Sequence, residues 1–327
     1  MAGRLEGKVT IVTGGASGIG EATARLFASH GGRAVVIADI QDALGEQVAT
    51  SIGAEVRTFA RCDVTDEGQV EALVRSTVQA HGRLDVMFCN ARMASPSDQK
   101  ILDLELSQFD RLMALNVRGV AACVKHAAQA MVEGRVRASI LCTGSASGSC
   151  GGVRRTDYYV SKHAVVGLVR SASVQLGAHG IRVNCVSPYA VATPLTSAAL
   201  GGMTAEEVER YYEPAMVLKG GGMLKAGDVA EAVLFLASDG IHHRARFGRG
   251  RRIPTPALIF LIWIALSFRI CCFSVSHAGV FFDQLYGRLY WTLSYMELDL
   301  NQSSDSCPFT LNHFETLIIS NRLYLMT

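Results

Sequence analysis

The chain has 327 residues, 49% of them hydrophobic, and a formal net charge of +2. That balance excludes the basic footprint of a nucleic-acid binder, and the length suits one large α/β domain or two small ones. The nine cysteines are odd in number and never spaced Cys-x-x-Cys, which argues against a zinc site and for a reducing compartment. Met1–Gly7 has no apolar core of a signal peptide, so the cytoplasm is the expected location and no metal is expected.

Composition divides the chain. Residues 1–239 are rich in Ala, Gly and Val and contain no Trp; residues 240–327 contain no Lys and hold both Trp263 and Trp291. The first part reads as alternating strands and helices. Lys8–Thr13 is a β-branched run of buried-strand type. Gly14-Gly15-Ala16-Ser17-Gly18-Ile19-Gly20 follows and leads into a helix with Ala22, Leu26 and Phe27 inward. A glycine-rich turn between strand and helix brings backbone N–H groups and the helix N-terminus against a phosphate. Gly14, Ser17, Gly18, Ile19 and Gly20 are therefore candidate dinucleotide contacts; a turn without a ligand is the plainer alternative.

The second strand, Ala34–Ala38, ends at Asp39. A carboxylate there accepts from both adenosine ribose hydroxyls and repels a 2′-phosphate. Ile40 and Gln41 supply no arginine for such a phosphate, so NAD is expected rather than NADP. An aspartate capping the next helix is compatible with the same position. Gln41–Ile52 reads as a helix, Val56–Arg61 as a strand ending at Cys62-Asp63-Val64, Asp66–His81 as a helix stopped by Gly82, and Asp85–Cys89 as the fourth strand before Asn90-Ala91-Arg92. Such alternation predicts a parallel sheet with right-handed crossovers and ligands at the carboxyl ends of its strands, where Gly14, Asp39, Asp63 and Asn90 fall. Arg111–Met131 is a long helix holding Asn116, half-buried and in need of a partner. Ser139–Thr143 is the fifth strand and Arg182–Ser187 the sixth, ending at Pro188. Pro194–Gly222 reads as an irregular lid with one helix, Thr204–Tyr212, and apolar Met203, Tyr211, Tyr212 and Met216. Asp228–Ser238 is the last helix.

Between the fifth and sixth strands stand Ser145, Tyr158 and Lys162. Tyr158 and Lys162 are four apart in a proline-free helix, Tyr158–Ala178, and share a face. An ammonium about 4 Å from a phenol is worth about 4 kcal/mol at an effective dielectric of 20. A tyrosine that ordinarily titrates near ~10 is then expected to act as an acid/base near neutrality. Ser145 would hydrogen-bond the same substrate oxygen. On spacing alone the plainer alternative is a solvated Tyr/Lys pair.

Thr13-Gly14, Gly18-Ile19-Gly20, Asp39, Asp63-Val64, Asn90-Ala91, Asn116, Ser145, Tyr158, Lys162, and Pro188 with Val191 and Thr193 together resemble the short-chain dehydrogenase/reductase family over residues 4–239. Ser161–Val165 and Arg182–Pro194 resemble its plant branch of xanthoxin, secoisolariciresinol and momilactone-type dehydrogenases. The resemblance implies a Rossmann-type, doubly wound α/β domain and an NAD-dependent exchange between a secondary alcohol and a ketone on a small apolar molecule. In it Tyr158 moves the proton, Lys162 lowers the Tyr158 pKa and binds the nicotinamide ribose, Ser145 orients the substrate oxygen, and Asn116 holds a relay water. Asp63 and Val64 flank adenine, and Asn90, Pro188, Val191 and Thr193 complete the cofactor contacts. One residue departs: Arg92 stands where the family has glycine, adding bulk and predicting a strained φ and weakened cofactor binding. A cofactor-binding or regulatory protein without turnover is therefore the alternative.

The family should close on a seventh strand and a Val-Asp-Gly-Gly ending. The chain instead reads Ile241-His242-His243-Arg244-Ala245-Arg246-Phe247-Gly248-Arg249-Gly250-Arg251-Arg252-Ile253. Joining the last two bases of each possible codon to the first of the next permits Phe, Ile, Thr, Gly, His, Asp, Leu, Val, Val, Asp, Gly, Gly, which is the absent ending. Residues 240–327 are thus expected to be read out of frame, with the final strand lost, a sticky sheet edge, and disturbance of the subunit contacts that the family's homo-oligomers make there. A membrane-anchored reductase is the rival reading; Ala257–Phe268 is apolar but shorter than the ~20 residues that span a bilayer.

Overall fold

The structure, a computed structural model, describes residues 3–53, 57–215 and 222–239. The tail from Gly240, its apolar run 257–268 and Met216 of the lid lie outside the described residues. Six parallel strands form one sheet in the order β3-β2-β1-β4-β5-β6. They are β1 (Val9–Thr13), β2 (Ala34–Asp39), β3 (Arg57–Arg61), β4 (Val86–Cys89), β5 (Ser139–Thr143) and β6 (Arg182–Val186). The order reverses between β1 and β4, and the carboxyl ends on either side of that point form the crevice in which such sheets bind ligands.

Strand alternation builds two cores. Ile11, Met87, Ile140 and Val183 follow one another in register across β1, β4, β5 and β6 and face one side. There they meet α3 (Glu67–His81), α5 (Val120–Glu133) and α6 (Thr156–Leu176). Val12, Phe88 and Leu141, each one residue further on, face the other side against α1 (Gly18–Ser29), α2 (Asp42–Ile52) and α9 (Ala226–Ala237). Both faces are covered, so β1, β2, β4 and β5 are buried at every position, while the edge strands β3 and β6 carry exposed or part-exposed polar residues. Phe27 and Phe88 are fully buried, and each removes roughly 150 Å² or more of surface from water at about 25 cal/mol per Å².

The expected long helix after β4 is present but interrupted. It runs as α4 (Leu106–Met113), a π-turn at Ala114–Gly119, and α5. Gly119 has a packing reason: a Cβ there would meet Val64 Cγ2 at 2.8 Å and Val64 O at 3.0 Å. The lid segment is more regular than expected, since Pro194–Ala199 forms a short helix, α7, ahead of α8 (Ala205–Tyr212). Thr193 caps α7 by accepting from Thr196 N, with Pro194 at the first helical position. At the far edge, the Arg182 guanidinium gathers the last carbonyls of α9, donating to Leu236 O, Ala237 O and Ser238 O.

Candidate active site

The glycine-rich turn is held from outside. Gly14 adopts φ +64, and a Cβ on Gly20 would lie 2.0 Å from Gly14 O, so both positions need glycine. Asn90, buried at the end of β4, binds the turn with its amide: Nδ2 donates to Thr13 O and Gly14 O, both at 3.1 Å. Its Oδ1 accepts from Thr143 Oγ1 at 3.1 Å and from Arg92 Nη1 at 2.7 Å. Thr13 Oγ1 in turn accepts from Asn90 N and Ala91 N. Ser17 stands at the N-cap of α1 with no side-chain cap bond and lines the cavity.

Around this turn lies a cavity of about 660 Å³ lined by Gly14, Ser17, Gly18, Ile19, Asp39, Asp63, Val64, Asn90, Arg92 and Thr193 among others. Asp39 Oδ2 accepts from Ala16 N at 3.0 Å, while Oδ1 accepts from Gln41 N at 3.1 Å. The carboxylate therefore links the end of β2 to the turn. The N-cap position of α2 is Gln41, so Asp39 is not itself the helix cap. Arg61, one strand over, reaches Ile40 O and pairs with Asp42, a cation near Asp39 that a reading of adjacent residues missed. Asp63 is turned onto Thr65 N and Oγ1. Val64 and Val191 are buried, and Pro188 O accepts from Ala146 N, fixing the loop that carries Ser145. The open glycine cradle, the α1 N-terminus and the acid at the end of β2 fit the adenosine diphosphate half of a dinucleotide.

Tyr158 and Lys162 project from the first turns of α6, and Ser145 faces them from the end of β5. Ser145 Oγ accepts from Ser147 N at 3.1 Å, and its hydroxyl pulls the Tyr158 pKa down. Lys162 is almost wholly buried; its Nζ donates to Thr143 O at 3.0 Å and lies 5.5 Å from the Tyr158 ring centroid. Burial first, and the Arg92 charge second, push the Lys162 ammonium down to about 7. The phenol differs from its expected state. Burial pushes the Tyr158 pKa up, against the downward pull of Arg92, the Ser145 hydroxyl and Arg155. The physical reason is desolvation of the phenolate, which spacing along a helix does not reveal.

Asn116 is fully buried inside the π-turn. Its Oδ1 accepts from Met93 N at 2.9 Å and its Nδ2 donates to Met93 O at 3.0 Å and Ser161 Oγ at 3.2 Å. The side chain thus clasps Met93 of the loop after β4 and Ser161 of α6. Arg92 also differs from expectation. Among the described residues positive φ occurs outside glycine only at Gln99, Arg135 and Arg155, so Arg92 fits without backbone strain. Its side chain lies half-buried in the cavity wall. Thr143 and Met93 also hold the site together and were not singled out from sequence. Thr143 ends its strand as Thr13 does, and a hydroxyl at a strand's carboxyl end was the available signal.

A parallel sheet with a glycine turn at its reversal point and a Ser/Tyr/Lys cluster beside it defines an oxidoreductase of Rossmann type. The profile described as enoyl-(acyl carrier protein) reductase matches residues 14–243. The chain is 58% identical over 236 residues to (-)-isopiperitenol/(-)-carveol dehydrogenase, mitochondrial, of Mentha piperita, covering 72% of this chain and 88% of that protein. It is 57% identical to a (+)-cis,trans-nepetalactol synthase of Nepeta racemosa, with 72% and 88% covered. A short-chain type dehydrogenase/reductase from Mycobacterium marinum superposes with a TM-score of 0.65 at 33% identity, with 72% and 89% covered. The chain belongs to the short-chain dehydrogenase/reductase family. No helix among the described residues is long and apolar enough to cross a membrane.

Proposed function

We propose that the chain is an NAD-dependent dehydrogenase that interconverts a secondary alcohol and a ketone on a small apolar, terpenoid-like substrate. The observation that carries this reading is the Tyr158 phenol, with Lys162 Nζ 5.5 Å from its ring centroid and Ser145 beside it, next to a glycine-lined cavity that Asp39 also lines. NAD would supply the hydride acceptor at this site. Tyr158 Oη takes the hydroxyl proton in oxidation and returns it in reduction. Ser145 orients the substrate oxygen, and Asp39 favours a ribose without a 2′-phosphate. Lys162, drawn to Thr143 O, is placed to turn toward the nicotinamide ribose. Tyr189 and Tyr212 pack edge to face at 5.8 Å under the lid, offering an aromatic wall to an apolar substrate. The names of the mint-family relatives support a monoterpenoid alcohol as the first substrate to try. The cytoplasm remains the proposed compartment, and because one relative is named mitochondrial, fractionation is the check.

The test is a panel of cyclic monoterpenoid alcohols and ketones with NAD and NADP, run on the chain and on Tyr158→Phe. Turnover with NAD that falls at least a hundredfold in Tyr158→Phe supports the reading. Cofactor binding without turnover would instead mark a regulatory protein, and unchanged turnover in Tyr158→Phe refutes the role of the phenol.

A further inference from the structure

Arg92 has no counterpart in the site that the family resemblance implies, yet it sits where both halves of the site meet. Its Nη1 donates to Asn90 O at 3.2 Å and to Asn90 Oδ1 at 2.7 Å. The same Oδ1 accepts from Thr143 Oγ1, and Thr143 O accepts from Lys162 Nζ. One chain of hydrogen bonds therefore runs from the guanidinium through Asn90 and Thr143 to the lysine. The arginine also lines the dinucleotide cavity. The carboxylates of that cavity are engaged elsewhere, Asp39 with Ala16 N and Gln41, and Asp63 with Thr65. Among the described residues the guanidinium makes no ion pair with a carboxylate, and it acts on Tyr158 from the loop after β4.

We propose that Arg92 is a positioning residue for the reaction: anchored on Asn90, its fixed charge holds the Tyr158 phenolate and sets the pH at which the proton moves. The proposal rests on the reading of Tyr158 as the acid/base. The groups around Tyr158 are the Ser145 hydroxyl after β5, Arg155 at the N-cap of α6, the buried Asp157 carboxylate, which accepts from Tyr158 N at 2.8 Å and Ser95 Oγ at 3.0 Å, Tyr159 and Lys162 on α6, Arg92 after β4, and Tyr212 on α8. Of the three cations, Lys162 is spent on Thr143 O and loses its proton at about 7. Arg155 is tied to Ala199 O at 2.9 Å at the C-terminal end of α7. Of the causes that pull the phenol down, Arg92 comes first. A guanidinium does not titrate in the working range, so its charge persists where the ammonium's fades. Arginine at this position thus moves the constant charge of the site from the helix to the loop.

The experiment compares the full-length chain with Arg92→Gln, Arg92→Gly, Arg92→Lys and Tyr158→Phe. Phenolate absorbance of the cofactor-free proteins is followed against pH, and the Tyr158 step is the difference from Tyr158→Phe. Arg92→Gln and Arg92→Gly are expected to raise that step by about one pH unit, the effect of a unit charge roughly 10 Å away at an effective dielectric of about 20. Arg92→Lys should stay within a few tenths of a unit. In alcohol oxidation the acid limb of kcat/KM should move up by the same interval, a loss of about tenfold at neutral pH that recovers at high pH. A Tyr158 step and acid limb unmoved in both neutral variants overturn the proposal, as does the absence of any Tyr158 step. Oxidation that survives in Tyr158→Phe would overturn the functional reading itself, a distinct result.

Discussion

Replacing Asn90 by alanine tests whether one amide holds the cofactor turn, the end of β5 and Arg92 together. Four side-chain hydrogen bonds disappear: to Thr13 O, Gly14 O, Thr143 Oγ1 and Arg92 Nη1. A neutral buried hydrogen bond contributes about 1 kcal/mol net. The half-buried Arg92 can turn to water, so its bond is discounted; the other three give about 3 kcal/mol. Thr13→Val removes the hydroxyl that accepts from Asn90 N and Ala91 N and donates to Phe88 O. Because the two residues share one network, the double variant should cost at least about 0.5 kcal/mol less than the sum of the singles. Urea unfolding followed by far-ultraviolet circular dichroism measures all four corners of this cycle. Dinucleotide affinity, read by fluorescence, should fall in parallel because the Gly14 carbonyl is released. A loss below about 1 kcal/mol for Asn90→Ala, or strict additivity with Thr13→Val, refutes the network as the clamp of the turn.

Gly20→Ala places a Cβ against backbone rather than a flexible side chain, 2.0 Å from Gly14 O, so dinucleotide binding should weaken at least about tenfold while the far-ultraviolet spectrum persists. Lys162 makes stability pH-dependent. Its folded pKa, about 7, lies below the ordinary 10.5, so the unfolded chain binds the extra proton between those values and stability rises with pH across them. The slope is at most about 1.4 kcal/mol per pH unit and should vanish in Lys162→Met, as denaturation at pH 7, 8 and 9 would show. Replacing residues 240–327 with the alternative-frame ending should raise the urea midpoint, because β6 forms the edge of the described sheet and a seventh strand would pair with it.

The doubly wound sheet was legible because short strands, β-branched in β1 and β2, alternate with helical stretches and several lead into a chemically distinct residue. Asp39, Cys62-Asp63, Asn90 and Thr143 all end strands or follow them directly. Two departures show what periodicity cannot carry. The π-turn at Ala114–Gly119 keeps the helical look of its sequence, because one wider turn changes the phase of only a few residues. Helix α7 was passed over because Pro194 reads as a breaker. Thr193 before it reverses that reading, since threonine followed by proline is a helix start.

The residues of the site were legible, but the electrostatics among them were not. Spacing along α6 offers Lys162 as the cation beside Tyr158, and the structure places it there, 5.5 Å from the ring centroid. Spacing does not reveal that Lys162 is buried and committed to Thr143 O, nor that the phenol's own burial opposes its ionisation. Nor does it reveal that a loop residue more than sixty positions upstream supplies a competing charge. Desolvation acts through the whole surrounding volume, whereas a motif records only residues close in sequence. Asn116 follows the same logic: its bonds to Met93 and Ser161 cross from the π-turn to the loop after β4 and to α6. Motif residues therefore locate the chemistry, while the charges around the phenol include Arg92 and Arg155, two cations that the motif does not contain.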